Sequence, residues 1–212
     1  MRIAACIKRR NLATLHASAG CNENRFADRK NNQVNEGLNI VRGGAQARRS
    51  PPTGGETGAR NFNLSLALGL AARRCSLPLQ LFDSSTGFRL ADGSVLSPDL
   101  SVVTMDRWQT LTPEQRRTFP PLCPDLVIEL ASASDEGPRG AEALRRKMAL
   151  YQANGAQLGW LLFPEQRAVE IWPARPEAGA ASAPQRLENA TRLDGGAVLP
   201  GLVLELEEIW AG

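Results

Sequence analysis

Three side chains in this 212-residue sequence could do chemistry together: Asp99, Glu129 and Lys147. Glu129 sits inside the apolar run Leu126-Val127-Ile128-Glu129-Leu130. A carboxylate buried there is costly unless it is paired or bound to a cation. Asp99 follows Pro98 and is framed by Val95, Leu96, Leu100, Val102 and Val103. Lys147 lies three residues after Leu144 and four before Tyr151, at the border of a helical apolar stripe formed by Leu144, Met148 and Tyr151. From there a lysine can snorkel to water, or reach both carboxylates if the helix packs beside Glu129. Two carboxylates suit a hard divalent cation, which prefers oxygen ligands. Such a cation activates water and offsets charge on a phosphate, while a lysine stabilises developing negative charge. The plainer alternatives are a solvated strand glutamate and a turn aspartate following Ser97-Pro98.

Composition removes competing chemistries. There is one histidine, His16, and the four cysteines Cys6, Cys21, Cys75 and Cys123 contain no CxxC pair. Zinc clusters, disulfide frameworks and nucleophile–imidazole catalysis are therefore disfavoured. No apolar run approaches the ~18 residues of a membrane span. The apolar stretch 3–7 is cut by Lys8-Arg9-Arg10, short of the ~7–15 residue core of a secretory signal. Unpaired cysteines fit a reducing cytoplasm. Charge is uneven: residues 1–60 hold 11 Lys/Arg against 4 Asp/Glu, and residues 61–212 hold 14 against 18. With few aromatics there to stack on bases, the basic segment reads as a solvated tail rather than a phosphate-binding arm.

The elements that must position the three residues are legible from about residue 56. Residues 1–50 have weak periodicity and are expected to be poorly ordered. Pro51-Pro52-Thr53-Gly54-Gly55 is a loop, and the alanine- and leucine-rich segment beyond it forms a helix of about four turns ending near Arg73-Arg74. Strands are expected at 79–82, 87–90 and 94–105, the last two joined by a tight turn at Asp92-Gly93. Thr112-Pro113-Glu114-Gln115 opens a short helix. Residues 125–131 read as a central strand, with Leu126, Ile128 and Leu130 on one face and Asp125, Val127, Glu129 and Ala131 on the other. A second helix spans 141–153 and stops at Asn154-Gly155. Strands at 158–163 and 168–172 form another hairpin, 173–185 is a loop, and 198–206 is a last strand before an acidic C-terminus. This order gives one α/β domain with a mixed sheet.

The quoted segments resemble the Uma-two family of restriction endonucleases, within the PD-(D/E)XK nuclease superfamily. The resemblance rests on Pro52-Thr53-Gly54-Gly55-Glu56, Thr86-Gly87-Phe88-Arg89-Leu90, Ser97-Pro98-Asp99 and Pro124-Asp125-Leu126-Val127-Ile128-Glu129-Leu130. Lys147, Tyr151, Asn154-Gly155, Leu158-Gly159-Trp160-Leu161 and Leu199-Pro200-Gly201 extend it over roughly residues 50–210. It implies a restriction-endonuclease-like core, residues 51–212, behind a basic N-terminal segment 1–50. It implies Mg²⁺- or Mn²⁺-dependent hydrolysis of DNA, with Asp99 and Glu129 as metal carboxylates and Glu56 as a supplementary acid. Lys147 would replace the lysine that the superfamily usually carries two residues after the second carboxylate, where this chain has Ala131. Cutting both strands of a duplex would call for a homodimer.

The sequence departs from the family in two places. Residues 42–51 make a poor strand where the family has a good one, and Ser132-Ala133-Ser134-Asp135 replaces Ser-Pro-Ser-Asp. The first departure suggests that residues 1–50 are not the family's usual start, through an altered reading frame or a mis-set start codon. The unusual start and the acidic core also suit a rival reading, an inactive nuclease-fold module that binds nucleic acid or a protein. Gly54-Gly55 as a phosphate loop lacks the lysine and spacing of a P-loop.

Overall fold

The computed structural model describes residues 54–174 and 183–211. The first helix, α1 (Gly55–Arg74), carries Glu56 in its first turn and Arg73 and Arg74 in its last, complementing the helix dipole at both ends. Then come β1 (Leu79–Asp83), β2 (Phe88–Arg89), β3 (Val95–Leu96) and β4 (Leu100–Thr104). Two short helices follow, α2 (Met105–Gln109) and α3 (Pro113–Arg117). The chain continues through β5 (Leu126–Leu130), α4 (Pro138–Ala153), β6 (Leu158–Phe163) and β7 (Ala168–Pro173). It finishes with β8 (Gln185–Glu188), β9 (Arg192–Asp194), β10 (Val203–Glu205) and α5 (Glu207–Ala211).

Six strands form a mixed sheet in the order β1-β4-β5-β6-β7-β8. Only β5 and β6 pair in parallel, and α4 is the crossover that this arrangement requires. Both faces are covered. Leu126, Ile128 and Leu130 pack with Leu64, Leu68 and Ala71 of α1 and with Ile209 and Trp210 of α5. Val127 and Ala131 pack with Leu144, Met148 and Tyr151 of α4 and with Phe88 and Leu96 of the β2–β3 hairpin. The alternation expected for the central strand is thus realised, but β5 is buried on both sides. Gly159 lets α4 come close: a Cβ there would collide with the Met148 methyl and press on Trp172. This drops α4, and with it Lys147, onto the sheet.

Several expected boundaries shift, for identifiable reasons. The strand expected at 94–105 divides into β3 and β4 around Ser97-Pro98-Asp99. Pro98 has no N–H to give a ladder, and the chain leaves one pairing partner for another there. Residues 105–109 turn into a helix instead of extending the strand. The strand expected at 198–206 shrinks to Val203–Glu205, because Pro200-Gly201 makes a turn in which Gly201 takes φ +81°. Its partner β9, the edge strand β8 and the terminal helix α5 are not among the elements expected from the sequence. The helix expected from 141 starts at Pro138, a residue suited to a first turn. The hairpin turn at Asp92-Gly93 and the capping box from Thr112 to Gln115 form as expected. The expectations for residues 1–50, including His16, lie outside the described residues.

Candidate active site

The break before β4 places Asp99 at the mouth of the sheet. β4 and β5 are antiparallel with Leu100 opposite Ile128, so Asp99 stands opposite Glu129 one step beyond the paired register. Oδ2 of Asp99 accepts a hydrogen bond from the Leu130 N–H at 2.8 Å, tying the loop end to β5. Glu129 is 2% exposed and Lys147 is 4% exposed. The Lys147 ammonium stands 2.7 Å from Glu129 Oε1, donates to Glu129 Oε2 at 2.8 Å, and donates to the Ser97 carbonyl at 2.9 Å. One lysine therefore holds the second carboxylate and also the backbone just before the first.

Burial dominates the electrostatics. Desolvation pushes the Glu129 carboxyl up to about 7, against the opposing attraction of Lys147, and the neighbouring Asp99 charge adds to the rise. Desolvation also raises Asp99, opposed by Lys147 and by the Leu130 N–H, and Asp135 pushes the same way as burial. Two carboxyls face one ammonium, so ionising both would leave an excess of negative charge. The Lys147 ammonium lies against both Glu129 oxygens, at 2.7 and 2.8 Å. The buried Tyr151 hydroxyl hydrogen-bonds to the Glu129 carboxylate, which opposes the rise of the Glu129 carboxyl. Burial first, and then the Glu129 charge, hold the Tyr151 phenol well above its ordinary pKa.

The Uma2 family, described as "Putative restriction endonuclease", matches residues 38–207. The chain belongs to the Uma2 family. The fold is also similar to a crystal structure described as a putative nuclease of the DUF820 group from Anabaena variabilis. That match has TM-score 0.56 and 15% identity, and it covers 76% of this chain and 83% of the other. No curated protein matches the sequence.

Within this Uma2 chain the three expected residues differ in setting from Glu56. Asp99, Glu129 and Lys147 meet at one end of β4 and β5. Glu56 is exposed on the first turn of α1 and makes no hydrogen bond or ion pair with a described residue. Among the described residues, no three His, Cys, Asp or Glu side chains gather as a metal-holding group. Lys147, expected at the border of the helix stripe, is fully inside it.

Three further acids belong to this arrangement or flank it, and sequence reasoning missed them. Asp135 follows β5 closely enough to act on Asp99, and its carboxylate accepts from the Ser132 N–H and hydroxyl at 3.1 and 2.5 Å. The Ser132–Asp135 spacing was the available signal. Asp125, in a second Pro-Asp pair, is taken up by Arg107 at 2.5 Å and by the Thr104 N–H at 2.8 Å. It clamps α2 to β5 through a guanidinium, whereas Asp99 has a backbone N–H as its hydrogen-bond partner. Glu170 on β7 is buried and held by Arg145 at 2.5 Å.

Proposed function

We propose that this protein is a metal-dependent endonuclease that hydrolyses phosphodiester bonds of DNA at Asp99, Glu129 and Lys147. The observation that carries the reading is the buried ion pair of Lys147 and Glu129 set against Asp99. A fold that needed only stability would satisfy a buried carboxylate fully. Here one ammonium faces two neighbouring carboxyls, and both are raised in pKa. Membership of a family described as restriction endonucleases supports the same substrate.

The donor set fits Mg²⁺ or Mn²⁺. Two carboxylates suffice for such an ion, which usually keeps several waters and does not need a dense protein cage. Asp99 and Glu129 would hold it, and when bound it would lower the pKa of a water and offset phosphate charge. Glu56, away from the pair's contacts, is left as an auxiliary acid at most. Lys147 has three N–H donors, of which two are engaged by Glu129 and Ser97. The ammonium also lies 2.7 Å from Glu129 Oε1, so it would act on a phosphate as a buried positive charge whose stabilisation grows as negative charge develops. Tyr151 keeps Glu129 dry and stays protonated throughout.

Thermal unfolding with and without the ion tests this reading. Wild-type protein at a hundredfold excess of Mg²⁺ or Mn²⁺ over its Kd gains about 2.7 kcal/mol. Asp99→Asn loses that gain. DNA binding that persists with no metal response in either protein would instead favour the inactive binding module.

A further inference from the structure

A second feature lies on the same face of the sheet, at the β1 edge. An open cleft of about 630 Å³ is lined by the aromatic rings of Phe82, Trp108 and Phe119 and by Arg89, Arg116 and Arg117. The rings are half-buried and the arginines are exposed. No carboxylate lines the cleft, and none of the three arginines forms an ion pair among the described residues. The walls are built rather than accidental. Phe82 packs edge-on to Trp108 at 5.0 Å between centroids, and Arg116 lies over the Trp108 ring at 5.7 Å. The Arg89 N–H bonds to the Pro120 carbonyl, which joins the β2–β3 hairpin to the segment after α3. Gly87 has no side chain where a Cβ would stand 3.0 Å from the Phe119 ring, so the ring can lie against the backbone.

Flat apolar rings beside unpaired guanidinium groups suit a flat aromatic ring joined to an anion. A nucleobase carrying its phosphate has that chemistry. Position favours it too. Phe82 pairs with Ser101, two residues from Asp99. Strand spacing and rise then put the Phe82 and Asp99 backbones roughly 8 Å apart, near enough for one nucleic-acid strand to touch both.

We propose that this cleft seats an unpaired nucleotide of the substrate strand, its base against Trp108 and Phe119 and its phosphates on Arg89, Arg116 and Arg117. A base inside a duplex cannot present its face in this way. The protein therefore engages single-stranded or locally opened DNA next to its catalytic carboxylates. This rests on the nuclease reading and adds a substrate class to it.

The test is binding of a fluorescein-labelled oligothymidylate 12-mer, without metal, against a duplex of the same length. Intrinsic tryptophan emission is followed in parallel. Trp160, Trp172 and Trp210 are buried, so quenching by stacking reports Trp108. Expected are tighter binding of the single strand and quenching that Trp108→Phe abolishes. Arg89→Ala/Arg117→Ala weakens binding on the order of tenfold. It also lowers the salt slope by about 0.7 for each phosphate left without its arginine. The Arg89 and Arg117 side chains make no hydrogen bonds among the described residues, so these variants should keep the fold, and matching unfolding curves confirm it. Equal binding by wild type and both variants overturns the cleft assignment, as does a preference for duplex. A cleft that binds while no DNA is cut would reject the nuclease reading and leave the cleft standing.

Discussion

The same helix meets two buried glutamates, and it treats them differently. Glu129 on β5 is aligned with Leu161 on β6, which is aligned with Glu170 on β7. Both acids point to the α4 side, two strands apart. Lys147 reaches Glu129, and Arg145, two residues earlier, reaches Glu170. At Glu170 the guanidinium forms a fork: Nε reaches Oε1 and Oε2 at 3.0 and 3.1 Å, Nη2 adds 2.5 Å, and Arg186 stands 3.6 Å away. Hydrogen bonds to Glu170 are the main reason that the Arg145 pKa is raised. At Glu129 a single ammonium lies against both oxygens, at 2.7 and 2.8 Å, and is also the cation that acts on Asp99. The first arrangement sets two guanidinium groups against one acid, and the second sets one ammonium against two. On the function proposed above, Glu170 is structural and Glu129 serves the chemistry.

Exchanging each acid for its amide should separate the two roles most sharply. Glu129→Gln is expected to lower DNA cleavage by roughly 10²–10³-fold, the scale of losing one preorganised electrostatic partner. Glu170→Gln should leave the cleavage rate near wild type and cost about 2–3 kcal/mol in urea unfolding, since its arginines keep some access to water. Equal loss of activity in both variants would erase the distinction. Next in size is Lys147→Met. Without metal it strands two carboxylates, costing about 3 kcal/mol or more at pH 8. The loss shrinks at pH 5.5, where the acids take up protons, and pH-dependent denaturation would reveal this.

The wild-type pH response is of similar size. Folded Glu129 keeps its proton up to about 7, whereas the unfolded side chain titrates near 4.5. Between these values the folded state holds the extra proton, so stability falls as pH rises across the window, by up to about 3 kcal/mol without metal. Protons and metal compete for the same oxygens, so Mn²⁺ affinity should weaken as pH drops below 7. Calorimetric titrations at pH 6 and pH 8 would measure it, and a flat response would contradict the account. The smallest effect is expected for Tyr151→Phe. Its hydroxyl bonds to Glu129, so removing it should cost about 1 kcal/mol of stability, push the Glu129 carboxyl further up and change cleavage by less than about tenfold.

These distinctions are unequally legible in the sequence. The run around Glu129 and the stripe of α4 follow local periodicities, so the central strand, the crossover helix and the three site residues can all be read. Whether Lys147 faces solvent or carboxylate depends on the closeness of α4 to the sheet, and that depends on Gly159 under Met148. Likewise nothing local marks Arg145 as the partner of Glu170, because the two are joined only through the register of β5, β6 and β7. Short edge strands such as β8 and β9 carry little apolar pattern of their own. The Asp125 clamp is equally hidden. Its partners Thr104 and Arg107 straddle a strand end that apolar patterning alone does not separate from the strand before it. The aromatic and basic cleft is assembled from β1, α2, the β2–β3 hairpin and the segment after α3, so no single motif announces it.

The central claim is that Glu129 and Asp99, two neighbouring carboxylates with one lysine between them, bind a catalytic ion. Plasmid cleavage by purified protein tests it most directly, with Mg²⁺, with Mn²⁺ and with chelator, in wild type and Asp99→Asn. The account predicts nicking or linearisation by wild type with either metal, none with chelator, and a loss of at least about a hundredfold in Asp99→Asn. Cleavage that survives chelation, or that proceeds equally in the folded Asp99→Asn protein, would contradict it.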